Sequence, residues 1–546
     1  MAGPGVSGHF FSPKLMKKLT FIISLIILSS LAVAQSVSDS LETNELKASV
    51  LSAGDLFRNA NGNPSFEAPK GSGVSTIYAS NLWIGGIDET GSLLMAAQTY
   101  RQSGTDYWHG PVSNNYDSAY DAQYDRVWKI SKTEIDDHIS SWASPGYAAP
   151  DAIINWPAHG DTTKGEAWLL APFVDHNQDQ IYNPFQGDYP AIRGDEAMFF
   201  IYNDLRSVHT ETGGQNLGVE IHGLAYAFSN PEDTALNQTL FVNFNIFNRQ
   251  GGTINDTYVG LWTDFDIGYY RDDWIGTDTS LNLAYGYNSN NTDGNSGGYG
   301  YGMAPPAQGL AFLNQSLDRT MMYKNDFSAI GNPVIATEFY GYLQSYWKDG
   351  SPLTYGGSGY DTTANATSSS YVFPGNPVDS TGWTSADTAA FDPTDARMIA
   401  SHGPFLFEPG TSVCMDIAFI FARDTTGNHL SNVNLLKSYT AHITDFYNQQ
   451  NFSCEQVLTS IQPPVKPAVF NVYPNPGAEL LILELSEIPS STPIISVVDM
   501  SGRRVITRKM APSSRLTLDL PDLSAGLYIV ELRIGDQIGR KKWIKQ

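Results

Sequence analysis

Hydrophobic residues in the middle of the chain recur with the alternation of β-strands. Between Thr239 and Asn248, polar residues fall at 243, 245 and 248, which places Val242, Phe244 and Ile246 on one face of a strand. Similar runs of β-branched and aromatic residues, separated by Asn, Gly and Pro, predict strands at 198–202, 218–228 and 255–268. The pattern therefore predicts a mainly β protein, with a large multi-stranded body of the β-sandwich type and few short helices.

Two segments of the body predict helices. Ser131 can cap a short helix at 132–140, and Glu134 at the third helical position completes a capping box. Later, apolar residues recur at helical spacing and predict a helix from about Val433 to Tyr447, with Asn432 or Ser431 as its cap.

Two other segments are rich in Gly, Ser, Asn, Thr and Tyr, at 284–302 and 350–390. Such composition is typical of long surface loops, because it supplies few side chains for a packed core. Tyrosines on polar loops also make good contact residues for a binding surface, so both a spacer and a binding role stay open.

The last 77 residues have a separate β pattern. Strands about ten residues apart, divided by turn residues, predict a small Ig-like β-sandwich over 470–546. Pro463, Pro464 and Pro467 make 461–469 an extended linker, and residues 35–460 form the body. The predicted strands are 480–485, 494–499, 503–509, 516–520, 527–534 and 538–545.

Charge separates these regions. Residues 35–465 hold 18 Lys and Arg against 48 Asp and Glu, whereas residues 466–546 hold 11 basic and 8 acidic residues. A strongly acidic body repels nucleic acid and can attract divalent cations. We therefore expect no nucleic-acid partner.

The N-terminus has the three parts of a secretory signal peptide. Lys17 and Lys18 precede a short apolar run, and small residues follow it. We predict a signal peptide over 1–34, with its true start at Met16 and cleavage between Ala34 and Gln35.

The chain has two cysteines, Cys414 and Cys454. In an exported protein we predict a disulfide between them, with two buried thiols as the alternative. Neither cysteine has the spacing of a metal or redox motif.

One loop carries oxygen ligands at the spacing of a calcium site. Asp175, Asn177 and Asp179 occupy positions 1, 3 and 5, the carbonyl of Ile181 takes position 7, and Asp188 can supply a closing carboxylate. The predicted ion is calcium in a structural role. The alternative is a turn that caps itself through local hydrogen bonds.

This stretch resembles the calcium loops of dockerin and thrombospondin type 3 repeats. It departs from the EF-type pattern at two positions. Gln180 stands where a glycine makes the sharp turn, and Gln186 stands where a bidentate Glu closes the site.

A second acidic group lies at Asp264, Asp266, Asp272 and Asp273, beside Trp262. On a strand, Asp264, Asp266 and Trp262 share one face because side chains alternate. Carboxylates beside an aromatic ring can bind sugar, coordinate a cation or form an acid/base pair. Since the chain has 56 acidic residues, a solvated or structural role is also open.

No catalytic motif of this sequence lies in the context of strands and helices that its chemistry requires. The one GxSxG match, 294–298, lies in the Gly/Asn-rich segment without the strand and helix of a nucleophile elbow. The body is therefore expected to be a non-catalytic binding, adhesion or structural protein, with glycans among its expected partners. The alternative is a secreted polysaccharide hydrolase that uses the carboxylates of 264–278.

The C-terminal segment resembles the type A sorting domain of the type IX secretion system of Bacteroidetes. The resemblance covers all 77 residues and implies recognition by the secretion machinery and its outer-membrane sortase, removal of the segment, and attachment to surface lipopolysaccharide. The protein would be secreted or displayed on the outer surface. The matching positions are Pro474, Asn475, Pro476, Gly502, Arg503, Gly526, Tyr528, Lys541, Lys542 and Lys545.

The body resembles uncharacterised Bacteroidetes proteins that carry this sorting domain. The shared phrases are Phe66–Gly73, Leu82–Gly86 and Ala97–Arg101. This resemblance implies no chemistry for the body.

Overall fold

The computed structural model describes two compact units. The body unit comprises residues up to 156 and 174–452, and the second unit comprises residues 157–173 together with the C-terminal strands. The predicted signal peptide, its cleavage site at Ala34 and Gln35, and the linker 461–469 lie outside the described residues. Those described are 37–249, 251–387, 393, 395–450, 452, 470–486, 488–489, 491–499, 504–521, 523–534 and 537–546.

The body is built from antiparallel strands, as the alternation pattern predicts. In chain order they are β1 (Ser38–Leu41), β2 (Lys47–Leu51), β3 (Phe66–Glu67), β4 (Ser75–Ile87), β5 (Leu93–Ala96), β6 (Trp108–His109), β7 (Trp128–Ser131), β8 (Phe173–Val174), β9 (Tyr189–Pro190), β10 (Glu196–Asn203), β11 (Val219–Ala227), β12 (Thr239–Asn248), β13 (Ile254–Phe265), β14 (Asp273–Asp278), β15 (Leu283–Asn288), β16 (Thr292–Asp293), β17 (Gly302–Met303), β18 (Ala307–Phe312), β19 (Arg319–Lys324), β20 (Ala396–Phe407) and β21 (Ser412–Ala422).

Two large sheets share one hydrophobic core. The first has the order β1-β2-β3-β4-β13-β20-β19, and β5 pairs with β4. The second has the order β14-β15-β18-β21-β12-β11-β10-β6, and β7 pairs with β10. Buried side chains of both sheets, such as Val259 and Ile399 from the first and Phe244 and Phe419 from the second, belong to one core cluster. The predicted mainly β, sandwich-type body is confirmed.

The helices of the described residues are few. These helices are α1 (Ser118–Tyr124), α2 (Lys132–Ser141), α3 (Asp151–Ile154), α4 (Thr234–Asn237), α5 (Ala336–Leu343) and α6 (His429–Gln449), with single 3₁₀ turns at Thr162–Lys164, Pro184–Gln186, Thr279–Leu281 and Ser385–Asp387. Ser131 and Glu134 form the predicted capping box of α2. Helix α6 begins earlier than predicted because Asn428 caps it.

The prediction of a surface loop over 284–302 is wrong for its first part. Strand β15 pairs with β14 and β18, and the rings of Tyr285 and Tyr287 are buried. Glycine allows this arrangement because a Cβ on Gly276 would meet the Tyr285 ring at 2.4 Å. The Gly- and Tyr-rich composition therefore concealed a strand next to the edge of the second sheet, whose buried rings are those of Tyr285 and Tyr287.

The C-terminal strands form two sheets around their own core, which includes Leu483, Val497, Val530 and Trp543. The strands are β22 (Phe470–Tyr473), β23 (Leu480–Leu485), β24 (Ile494–Asp499), β25 (Arg504–Lys509), β26 (Arg515–Asp519), β27 (Gly526–Ile534) and β28 (Gln537–Lys545). The sheet orders are β22-β23-β26 and β25-β24-β27-β28. The predicted mainly β C-terminal segment is confirmed, with one additional strand at its start.

Among the described residues, each helix is too short or too polar to span a bilayer.

Candidate functional site

A cavity of about 830 Å³ opens in the body at the end of β13. Strand pairing builds its wall, because Asp264 of β13 lies opposite Arg397 of β20. Asp266 follows β13 directly and Asp395 precedes β20, so two strand ends place their carboxylates at the same edge. The volume is that of a small-molecule pocket.

Three carboxylates converge on this cavity. One oxygen from each of Asp264, Asp266 and Asp395 lies within 4.8 Å of the other two. The sequence pattern did not predict Asp395 as a member of this group. Asp395 lies about 130 residues after Asp264 and reaches the site only through the pairing of β13 with β20. No local motif marks that contact.

Tyr100 and Arg397 hold part of the cluster in place. The Tyr100 hydroxyl donates to Oδ2 of Asp264 and accepts from Nε and Nη2 of Arg397 at 3.0 and 2.9 Å. Nη1 of Arg397 also lies 2.6 Å from Oδ1 of Asp395. One guanidinium thus serves two of the three carboxylates.

The remaining carboxylate oxygens are poorly satisfied. Oδ1 of Asp264, whose side chain is buried, accepts no hydrogen bond, although Nε of Arg397 lies 3.4 Å away. Asp266 makes no side-chain hydrogen bond to any described residue, and its Oδ1 is buried. A buried carboxylate oxygen without a donor is costly, so a proton, an ordered water or a bound cation would stabilise these atoms.

The electrostatics agree with this need. Burial raises the pKa of Asp264 to about 6, although the charge of Arg397 opposes the shift. Burial, with the charges of Asp264 and Asp395, raises the pKa of Asp266 well above its ordinary value. Asp264 and Asp266 therefore keep their protons to higher pH than an exposed carboxyl group does, and a second positive charge beside them would oppose that shift.

Asp272 and Asp273 lie apart from this triad. Oδ2 of Asp273 accepts from the backbone of Ile267 at 2.8 Å. Asp272 has its pKa raised to about 6 by burial and by the charge of Asp293. Asp293 accepts backbone hydrogen bonds from Tyr269 and Tyr301, so these acids fasten two loops together. The predicted group of four is thus divided between the cavity and a loop network.

The predicted calcium loop brings three of its acids together. Oxygens of Asp175, Asp179 and Asp188 lie within 4.8 Å of one another. Asp188 is fully buried, and its Oδ1 and Oδ2 accept from the backbone of His176 and Asn183, each at 2.8 Å. This carboxylate therefore closes the loop on itself.

The other ligand positions also cap the loop. Asp175 accepts from the backbone of Gln180 at 2.7 Å, and Asp179 accepts from that of Ile181 at 2.8 Å. Asn177 donates to Oδ2 of Asp179 at 2.9 Å. Carboxylate, amide and carbonyl oxygens suit calcium, so the residues fit that ion.

Cys414 is buried on β21, where the side-chain amide of Asn243 lies 3.2 Å from its sulfur. The predicted partner, Cys454, lies outside the described residues, so the disulfide stays a prediction.

In the C-terminal unit, the segment Pro474–Gly477 fastens the last strand. The Asn475 amide donates to the carbonyl of Lys542 at 2.8 Å and accepts from the backbone of Ile544 at 2.9 Å. The buried Trp543 indole donates to the carbonyl of Pro474 at 2.8 Å. Asn475 thus mimics a neighbouring strand along β28.

The predicted signal residues of this unit differ in exposure. Lys541 and Lys542 are exposed, whereas Lys545 is buried and its ammonium donates to the carbonyl of Ala478. The Tyr528 hydroxyl donates to the carbonyl of Ser524 at 2.8 Å. Pro474, Pro476 and Gly526 are also exposed, while Gly502 and Arg503 lie outside the described residues.

Residues 471–546 match the family model described as "Secretion system C-terminal sorting domain". The chain ends in a type IX secretion sorting domain. This confirms the predicted sorting domain at the C-terminus. The domain directs the protein to the type IX machinery, and the protein is exported to the cell surface or secreted.

The body has no comparable assignment. No curated protein matches the chain. One solved structure, described as a polysaccharide lyase, aligns at 11% sequence identity with a TM-score of 0.19, covering 69% of this chain and 39% of that one. At that TM-score the alignment supports no inference about the body.

Proposed function

We propose that the body is a non-catalytic binding or adhesion protein of the cell surface, and that it binds calcium at Asp264, Asp266 and Asp395. The observation that carries the proposal is the convergence of the three carboxylates around oxygens that accept no hydrogen bond. A divalent cation would offset the burial and the mutual repulsion that raise the pKa values of Asp264 and Asp266.

The ligand set favours calcium over transition metals. All three side chains offer hard oxygen ligands, and neither histidine nor cysteine belongs to the described cluster. Extracellular calcium modules bind with dissociation constants of roughly 10⁻⁴–10⁻³ M. A site of that affinity is occupied wherever free calcium reaches about the millimolar range.

A second calcium ion is proposed for Asp175, Asn177, Asp179, Ile181 and Asp188. Its role would be structural: the ion would add to the two backbone hydrogen bonds by which Asp188 closes the loop. An ion there would replace contacts among side chains, such as that between Asn177 and Asp179. Two ions per chain are therefore expected.

Calorimetric titration of the chelator-treated secreted protein with calcium chloride tests both sites. The Asp266→Asn variant should lose the cavity site and keep the loop site, and Asp179→Asn should do the reverse. Asp361→Asn is the control, since this exposed carboxylate only caps a turn at Thr363. An unchanged titration of Asp266→Asn would contradict the cavity site.

The raised pKa values favour one alternative, a secreted polysaccharide hydrolase. A carboxyl that keeps its proton near neutral pH can act as a general acid, and a neighbouring carboxylate can act as base or nucleophile. Release of reducing sugar from a polysaccharide panel, measured with chelator present, tests this function. Activity that disappears in both Asp264→Asn and Asp266→Asn would establish it in place of the binding function.

For export we propose cleavage of the signal peptide after Ala34, passage to the outer membrane, removal of the sorting domain by the outer-membrane sortase, and attachment to surface lipopolysaccharide. The Pro-rich segment 461–469 serves as the tether. The exposed Lys541 and Lys542 support recognition of this basic domain apart from its acidic cargo.

Deletion of residues 536–546 should trap the protein in the periplasm. The double change Lys541→Glu and Lys542→Glu should do the same while keeping the fold, and Lys509→Glu, another exposed lysine of the domain, is its control. Fractionation with an antibody to the body measures the outcome. Normal surface display of the double variant would exclude these lysines from recognition.

A further inference from the structure

The rim of the cavity carries an aromatic side chain in an unusual position. Phe327 is 84% exposed and Val334 is 56% exposed, and both line the cavity that holds the carboxylate triad. An exposed apolar surface beside a polar pocket is typical of a ligand-binding site.

The loop that carries Phe327 is tied to the triad itself. Asn325 donates from its side chain to Oδ2 of Asp395 at 2.9 Å and from its backbone to the carbonyl of Asp395 at 3.1 Å. Asp326 then caps the turn by accepting from the backbone of Ser328 at 2.8 Å. The backbone that carries Phe327 is therefore fixed two residues from Asn325, which contacts a proposed cation ligand.

The protein leaves part of a calcium shell open. Calcium takes six to eight oxygen ligands. Oδ2 of Asp264 and both oxygens of Asp395 already contact Tyr100, Arg397 or Asn325. Among the described residues, Oδ1 of Asp264 and Oδ1 of Asp266 are the buried oxygens of this triad that accept no hydrogen bond. The remaining ligand positions must face the cavity, where water or ligand hydroxyl groups can fill them.

The charge of the site selects among hydroxylated ligands. Three carboxylates, the Arg397 guanidinium and one divalent cation together carry no net charge. Glu211 also lines the cavity, and its oxygens accept from the hydroxyls of Thr99 and Ser103. No described residue of the wall other than Arg397 is cationic, and Arg397 is already paired. A carboxylated or sulfated ligand would therefore meet no free positive side chain.

We propose that the cavity binds a neutral sugar, with two adjacent hydroxyl groups coordinating the calcium ion and the apolar face of the ring on Phe327. This inference rests on the proposed calcium site and names its ligand. Aromatic rings contact the C–H face of a sugar, and the diol supplies the oxygens that the triad does not.

Calcium-dependent binding of galactomannan, xyloglucan, mixed-linkage glucan and dextran to the full secreted protein tests the proposal, with alginate and polygalacturonate as anionic probes. At least one neutral glycan should bind with calcium and be released by chelator. The Phe327→Ala variant should lose at least tenfold in glycan affinity while its calcium titration stays unchanged. Tyr355→Ala is the matched control, because that tyrosine is 50% exposed and lies outside both the cavity wall and the loop at 175–188.

The outcomes separate the two proposals. Calcium binding at the cavity with no binding of any neutral glycan, or with preference for the anionic probes, would overturn the sugar inference and leave the calcium site standing. Loss of glycan binding in Asp266→Asn but not in Phe327→Ala would remove Phe327 from the contact. Glycan binding that persists in chelator would contradict coordination by the ion.

Discussion

The two acidic clusters of the body each contain three aspartates, but the carboxylates of one cluster accept backbone hydrogen bonds and those of the other do so only in part. In the loop at 175–188, the buried Asp188 accepts two backbone hydrogen bonds, and Asp175 and Asp179 cap neighbouring residues. In the cavity, Asp264 and Asp266 retain buried oxygens that accept none. Both clusters bring three carboxylate oxygens within 4.8 Å.

The difference arises from how each cluster is assembled. A loop can change its backbone until amide groups point at its own carboxylates, as the positive φ angles of Gln178 and Gln180 illustrate. Strand ends cannot relax in this way, because their amide groups are committed to the sheet. Proximity of acids therefore predicts a cation site more strongly when rigid elements impose it.

The largest expected effect comes from removing the one guanidinium of the cavity. Arg397→Met leaves Asp264 and Asp395 without their charged partner, and loss of one member of a buried ion pair typically costs about 3–5 kcal/mol. Thermal unfolding in chelator should show this loss, and calcium should restore part of it. Arg271→Met, at an exposed arginine, should change stability little; equal effects would contradict the contrast.

A smaller effect is expected from pH. The pKa of Asp264 is about 6 in the folded state and ordinarily 3.8. Because the folded-state pKa is raised, its contribution to stability is complete below about pH 4 and disappears as the pH rises through about 6, a change on the order of 2–3 kcal/mol.

Chemical unfolding of the calcium-free protein between pH 4 and pH 8 measures this dependence. Asp264→Asn should flatten the decline without abolishing it, since the raised pKa of Asp266 acts in the same direction. Saturating calcium should flatten it further. A wild-type stability that rises across this range would refute the assignment.

The smallest expected effect concerns the loop. Asp188→Asn removes one of two acceptors for buried backbone amides and should cost about 1–3 kcal/mol in chelator. Asp179→Asn, at an exposed position, should cost less under the same conditions. If Asp179→Asn proves the more damaging change without calcium, the loop is not held by Asp188 as described.

Much of the fold follows from local sequence. The alternation around Val242 and Phe244 predicts β12, and the capping box at Ser131 predicts α2. The tyrosine-rich strand β15 escaped prediction because Tyr285 and Tyr287 are buried only once β15 is paired with β14 and β18 inside the folded sheet. The cap of α6 was misplaced by several residues, since more than one polar residue precedes its apolar pattern.

The sequence alone determined the alternation that makes the chain a β protein, the turn-divided strands and motifs of the sorting domain, and the spacing of the loop at 175–188, because each depends on neighbours along the chain. Only the tertiary structure decided which acids share the cavity. The register of β13 against β20 brings Asp395 and Arg397 to Asp264, and burial at that position raises the pKa of Asp264 to about 6.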